Sequence, residues 1–105
     1  MDKNSKVKNI ILQGQEIKDN YNETLSMLDD ENIEKYFRNR LFSLKATIAR
    51  ITRKTQGKDI AYDFEALNSR SMSDLDEIEN EQTEALKGFE NLKSDIRAYK
   101  QKYKI

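Results

Sequence analysis

The chain contains no cysteine, no histidine, no proline and no tryptophan. Without cysteine there is no disulfide, no thiol nucleophile and no thiolate ligand for zinc, and the redox compartment leaves no mark. Without histidine the usual general base and the commonest metal ligand are both gone. Without proline nothing breaks a helix outright, and only Gly14, Gly57 and Gly88 are glycines. No apolar run is long enough to span a membrane, and the opening Met1-Asp2-Lys3-Asn4-Ser5-Lys6 leads into no signal-peptide core. The expectation is a protein made in the cytosol and not inserted into membranes. Export would require something other than a cleaved leader.

What is present are 105 residues, 36% charged and 36% hydrophobic, rich in Lys, Glu, Asn, Asp, Ile and Leu. That mixture favours helices, joined along thin apolar seams rather than around a thick core. The seams are legible. Leu75, Ile78, Gln82, Ala85, Phe89, Leu92, Ile96, Tyr99 and Tyr103 follow a strict three-four spacing, which predicts one long helix. Ser71 and Ser73 each stand three residues before an aspartate, as capping-box starts do. Ala61 and Phe64 continue the phase upstream, so 68–73 could equally be a kink.

Val7, Ile10, Gly14, Ile17, Tyr21 and Leu28 mark a second stripe, with Leu25 beside it. Phe37, Leu41, Leu44, Ile48 and Ile51 mark a third in a different phase. Asp29-Asp30-Glu31-Asn32 lies between them, as a phase break or a short turn. Gln56-Gly57-Lys58, a glycine after a basic last turn, is the best turn signal. The expected fold is all-α: one domain, a long antiparallel hairpin with arms at about 3–55 and 59–103. A three-helix bundle with a true turn at 29–32 is the alternative.

Charge is distributed in blocks. Residues 1–34 carry a net −4, 35–58 a net +8, 59–84 a net −8 and 85–105 a net +4, so the whole chain is neutral. Folding about Gly57 sets each block against its opposite. In that register Lys35 faces Glu79, Arg38 faces Asp76, Arg40 faces Asp74, Glu23 faces Lys93, Asp19 faces Arg97 and Glu16 faces Lys100. Ile51 then meets Phe64, Ile48 meets Leu67, Leu41 meets Leu75, and Leu25 meets Phe89. Such pairs contribute only about 0–1 kcal/mol each, but together they select orientation.

The basic tract Lys35, Arg38, Arg40, Lys45, Arg50, Arg53, Lys54 and Lys58, with Tyr36, Phe37 and Phe42 interleaved, has the composition of a nucleic-acid footprint. The acidic block after it would compete with phosphate, which favours an intramolecular partner. The acids from Asp74 to Glu84 are spread around a helix rather than gathered in a calcium loop, and no cofactor-binding motif occurs. No catalytic constellation is found, and Tyr99 and Tyr103 read as packing residues. Ile11, Leu12, Tyr36, Phe42, Tyr62, Met72 and Leu86 fall beside or outside the seams. An exposed apolar strip should therefore remain as a partner surface. Gly88, mid-helix, is either a tolerated fault or a point of close helix approach.

The layout resembles the WXG-type substrates of Gram-positive type VII secretion, and more narrowly the small α-helical partners of LXG effectors. The resemblance rests on Glu34-Lys35-Tyr36-Phe37 before the turn, Tyr62-Asp63-Phe64-Glu65-Ala66-Leu67 after it, and an acidic-to-basic terminal helix. Gln56-Gly57 stands where the family has Trp-x-Gly. The aromatic-xxx-acid export signal is absent: four places after Phe89 comes Lys93, and four after Tyr99 comes Tyr103. The resemblance implies a non-enzymatic adaptor that binds the helical domain of a larger effector, with a second small companion supplying the export signal. The surface expected to do so is Tyr36, Phe42, Tyr62, Phe64, Leu86 and Gly88. A homodimer could cover the same surface.

Overall fold

The computed structural model describes residues 2–54 and 64–104. All of its regular elements are helices: α1 Lys3–Met27, α2 Glu31–Lys54, the short α3 Phe64–Asn68 and α4 Met72–Tyr103. The proposed turn residue Gly57, and Tyr62 with it, lie outside the described residues.

Each boundary has a local cause. Asp2 Oδ1 accepts the Ser5 amide at 2.8 Å and starts α1. At 28–30 the chain leaves the helix. There Asp30 Oδ1 accepts the amides of Asn32 and Ile33 at 2.9 and 3.2 Å, so an aspartate that helix interiors tolerate poorly becomes the cap of α2. Glu31 and Glu34 in the first turn of α2, and Arg53 and Lys54 in its last, suit the helix dipole. Ser71 caps α4 by accepting the Asp74 amide. The second serine start, at Ser73, falls inside the helix. The expected kink at 68–73 is therefore an interruption, with α3 ending before it.

Helices α1 and α2 both pack along α4, in opposite directions. Lys6 pairs with Asp76, Asn9 donates to Glu79, Gln82 donates to the Ile10 carbonyl, Lys93 donates to Asn20, and Lys100 pairs with Asp29. Numbers rise together along both chains, so α1 is parallel to α4. Along α2 they run against each other: Arg40 pairs with Asp95, Leu44 lies over Gly88, and Lys54 pairs with Glu81 and Glu77. The molecule is a three-helix bundle of α1 up, α2 down and α4 up, with α3 against α1.

This corrects the single-hairpin register. Arm 3–55 is broken at 28–30 and its first half folds back. Lys35 and Arg38 pair within their own helix, with Glu31 and Glu34, and Arg40 pairs with Asp95 rather than Asp74. Arg97 reaches Glu23 rather than Asp19, and Lys100 reaches Asp29 rather than Glu16. Leu41 joins Leu92 and Ile96 rather than Leu75. Leu25 is exposed, while Phe89 meets Tyr21 edge-on at 6.4 Å. The reason is energetic. A buried aliphatic or aromatic side chain contributes about 1.5–3 kcal/mol, against about 0–1 for a surface ion pair. Covering α4 on two sides buries more apolar surface than one seam can.

Two apolar clusters result. One gathers Val7, Ile10, Ile17, Ile51, Leu67, Leu75, Ile78, Ala85 and Phe89; the other gathers Ile33, Phe37, Leu92 and Ile96. No described helix is long and apolar enough to cross a membrane.

Candidate partner-binding surface

Because α2 runs antiparallel to α4, its first two turns lie beside the last two turns of α4. That brings four rings together. Phe37 is buried and anchors the second cluster; Tyr99 meets it edge-on at 5.7 Å. Tyr36 lies 4.9 Å from Phe37 and 5.0 Å from Tyr99, and Tyr103 lies 4.6 Å from Tyr99. The inner ring is part of the core, whereas Tyr36 is 68% and Tyr103 55% exposed. The result is an aromatic ledge resting on a buried foundation.

The rim of this ledge is basic. Lys35 and Asn32 border an open dent on one side of it, shared with Tyr36, Tyr99 and Tyr103. Lys102 and the Arg40–Asp95 pair border an adjoining dent on the other. The Lys102 ammonium lies 5.4 Å from the Tyr103 ring centre, and the Arg40 guanidinium 5.9 Å from that of Phe37. These are cation–π distances. Nearby carboxylates are held by partners of their own. A hydrogen bond from Lys100 pulls Asp29 below the usual carboxylate range, and one from Arg38 does the same to Glu34. What the arrangement offers is flat apolar area, hydroxyl edges and ammonium groups.

The sequence-derived surface residues separate into three groups. Tyr36 is on the ledge. Phe42 is 56% exposed, but six residues further on, about a third of a turn round the helix from Tyr36. The two do not form the continuous strip expected of them. Phe64 opens α3 at the surface, and Leu12 and Met72 are exposed on α1 and α4. Leu86 and Ile11, by contrast, pack against the first cluster, and Gly88 lies beneath Leu44. Leu86 and Gly88 therefore serve the chain's own packing. The space that a side chain at Gly88 would fill is taken by the Leu44 side chain of α2.

Sequence reasoning took Tyr99 and Tyr103 for seam packing and missed the ledge. The signal was there: tyrosines four apart, at a helix end, next to Lys100, Lys102 and Lys104. Only the direction of α2 shows that Tyr36 joins them. Among the described residues, the acidic side chains of 74–84 do not converge on a cation site.

Of the seven described cations in the basic tract, five pair with carboxylates: Lys35, Arg38, Arg40, Arg50 and Lys54. Only Arg50 and Lys54 meet the acidic block that follows the tract; Arg40 pairs with Asp95 further along α4, and Lys35 and Arg38 pair within α2.

No family model, curated protein or solved structure matches the chain.

Proposed function

We propose that this chain is a non-enzymatic helical adaptor that docks onto the helical domain of a larger protein. The carrying observation is Tyr36 together with Phe42, both more than half exposed on a helix whose inner face is already occupied by its own core. Large exposed aromatics on separate sides of one helix suit a partner that wraps or flanks α2. Tyrosine in particular combines apolar area with a polar tip, as interface residues do. The resemblance to LXG-effector partners supplies the class of the larger protein, a type VII secretion effector, and a second small helical companion. The α2–α4 antiparallel pair is the part of the fold that a WXG-like hairpin would share.

The nucleic-acid reading of 35–58 is weakened by ion pairs: Arg40, Arg50 and Lys54 pair across to α4, and Lys35 and Arg38 pair within α2. Co-expression with the helical domain of a candidate LXG effector tests the proposal. A stable complex on gel filtration, lost on Tyr36→Ala with Phe42→Ala, supports it. Binding to generic duplex DNA that falls steeply with salt, without any effector complex, overturns it.

A further inference from the structure

Resting on the adaptor reading, we propose that the ledge of Tyr36, Tyr99 and Tyr103 is an acid-selective docking site. It takes a partner segment that presents an apolar anchor flanked by carboxylates.

The rings explain the anchor. Tyr36 and Tyr103 are mostly exposed and lie either side of the half-buried Tyr99, at 5.0 and 4.6 Å from it. Phe37 beneath them is held in the core and fixes the base of the platform. A leucine or similar side chain set against this platform gains contact on the rings while leaving the phenol hydroxyls in water.

The rim explains the charge. Lys35 borders one dent and Lys102 the other, so an anchored segment passes an ammonium group on each side. Lys35 makes only an exposed 3.4 Å pair with Glu31. Such a pair is weak and exchanges readily for a partner carboxylate. Lys102 faces the Tyr103 ring. Asp95, the carboxylate at this rim, is already paired with Arg40 at 2.6 Å and repels an incoming acid less than a free one would.

A protein segment fits better than a nucleic acid. Single-stranded binding needs a track of cations beyond the stacking rings. Further along α2, Arg50 and Lys54 are paired with Glu81 of α4. Two flanking ammoniums and a three-ring platform are a local site, suited to one anchored side chain and its neighbours.

The test uses the full chain and three fluorescent probes. One is an amphipathic peptide with a leucine stripe flanked by glutamates, the second its lysine-for-glutamate counterpart, and the third single-stranded oligothymidylate. The expected result is saturable binding of the acidic peptide. Amide shifts in an isotope-labelled sample should be confined to the neighbourhoods of Asn32, Tyr36 and Tyr99. Tyr36→Ala with Tyr103→Ala should abolish binding. Lys35→Glu with Lys102→Glu should weaken it roughly tenfold or more, with circular dichroism unchanged in both variants. Equal binding of acidic and basic peptides, shifts elsewhere, tighter binding of oligothymidylate, or a ledge blocked by a second copy in sedimentation would each overturn it. An effector complex insensitive to the ledge variants but lost on Phe42→Ala would overturn this site and leave the adaptor reading standing.

Discussion

A β-carbon on Gly88 would lie 2.5 Å from Cδ2 of Leu44, so the Leu44 side chain of α2 occupies the space that a side chain on this residue of α4 would need. The next Leu44 atom would be 3.7 Å away, so the collision involves the free end of one flexible side chain. Gly88→Ala should therefore be nearly neutral. The helix gains about 1 kcal/mol of propensity and spends much of it turning Leu44. Gly88→Val, with two γ-carbons in the same space, should cost about 1–3 kcal/mol. In a Leu44→Ala background Gly88→Ala should become stabilising. Urea unfolding of these variants measures this, and a Gly88→Ala effect unchanged by Leu44→Ala would show that the Leu44 contact does not offset the gain in helix propensity.

The direction of α1 and the register of α2 along α4 are the sharpest departures from what the sequence suggested, and the register can be measured directly. Residue 38 lies near the level of Asp95, because Arg40 pairs there, while residue 76 is at the far end of α4. At about 1.5 Å per residue, spin labels at 38 and 76 should be roughly 25–30 Å apart. The single hairpin would put them side by side. With no native cysteine, paired cysteine substitutions report cleanly. A short 38–76 distance would restore the hairpin.

The reason the sequence misled on this point lies in Lys93. It bonds Asn20 at 2.6 Å and Glu23 at 3.3 Å, and Glu23–Lys93 is also a pair of the hairpin register. A single pair of opposite charges forms at its own level whether two helices run parallel or antiparallel, so Glu23–Lys93 is met in both arrangements and does not fix the direction. Stripes were more reliable. Every seam residue from Leu75 to Ile96 is buried, as are Val7, Ile10, Gly14 and Ile17. Ile33 was invisible because it follows the Asp30 cap and begins a new phase, yet it is fully buried. Thr24 and Lys93 were missed because polar residues carry no seam signal. One bonds the Asn20 carbonyl, and the other buries its stem while its ammonium finds oxygens.

Gln82 occupies a core position between Ile78 and Ala85. Its Nε2 donates to the Ile10 carbonyl at 2.8 Å, whereas its buried Oε1 has no hydrogen-bond partner among the described residues. An unsatisfied buried acceptor costs about 1–3 kcal/mol, more than one neutral hydrogen bond returns. Gln82→Leu should raise stability by about 1 kcal/mol. A loss of that size in urea unfolding would instead show that the amide is fully satisfied.

Stability should be flat with pH through neutrality and fall in acid. With no histidine, nothing in the side chains titrates near pH 7. Hydrogen bonds from Lys100, Arg38 and Lys54 lower Asp29, Glu34 and Glu77, and the Ser5 amide lowers Asp2. A carboxylate lowered on folding binds protons less well in the folded state, so its contribution is present above roughly pH 4 and lost as pH falls through the folded value. Lys6 and Lys54 are raised, by Asp76 and by Glu77, so their contribution persists until pH climbs past the ordinary lysine range. Urea midpoints should be constant from about pH 5 to 9 and drop below. A midpoint that rises on acidification would contradict these signs.

The exposed aromatics separate stability from binding. Tyr36 and Phe42 project mostly into water, and Tyr36 touches the fold through its ring on Phe37 and Tyr99, so removing both should cost the isolated chain no more than about 1–1.5 kcal/mol. A partner that binds only the folded form adds RT ln(1 + [L]/Kd), about 2.7 kcal/mol at a hundredfold excess over Kd. The wild-type chain should therefore melt at a temperature independent of its own concentration and rise by several degrees with the effector's helical domain. Tyr36→Ala with Phe42→Ala should melt cooperatively, only modestly below the wild type alone, and show no such rise. If the double variant is itself strongly destabilised, these rings belong to the fold. If it keeps the full rise, the partner contacts a different face.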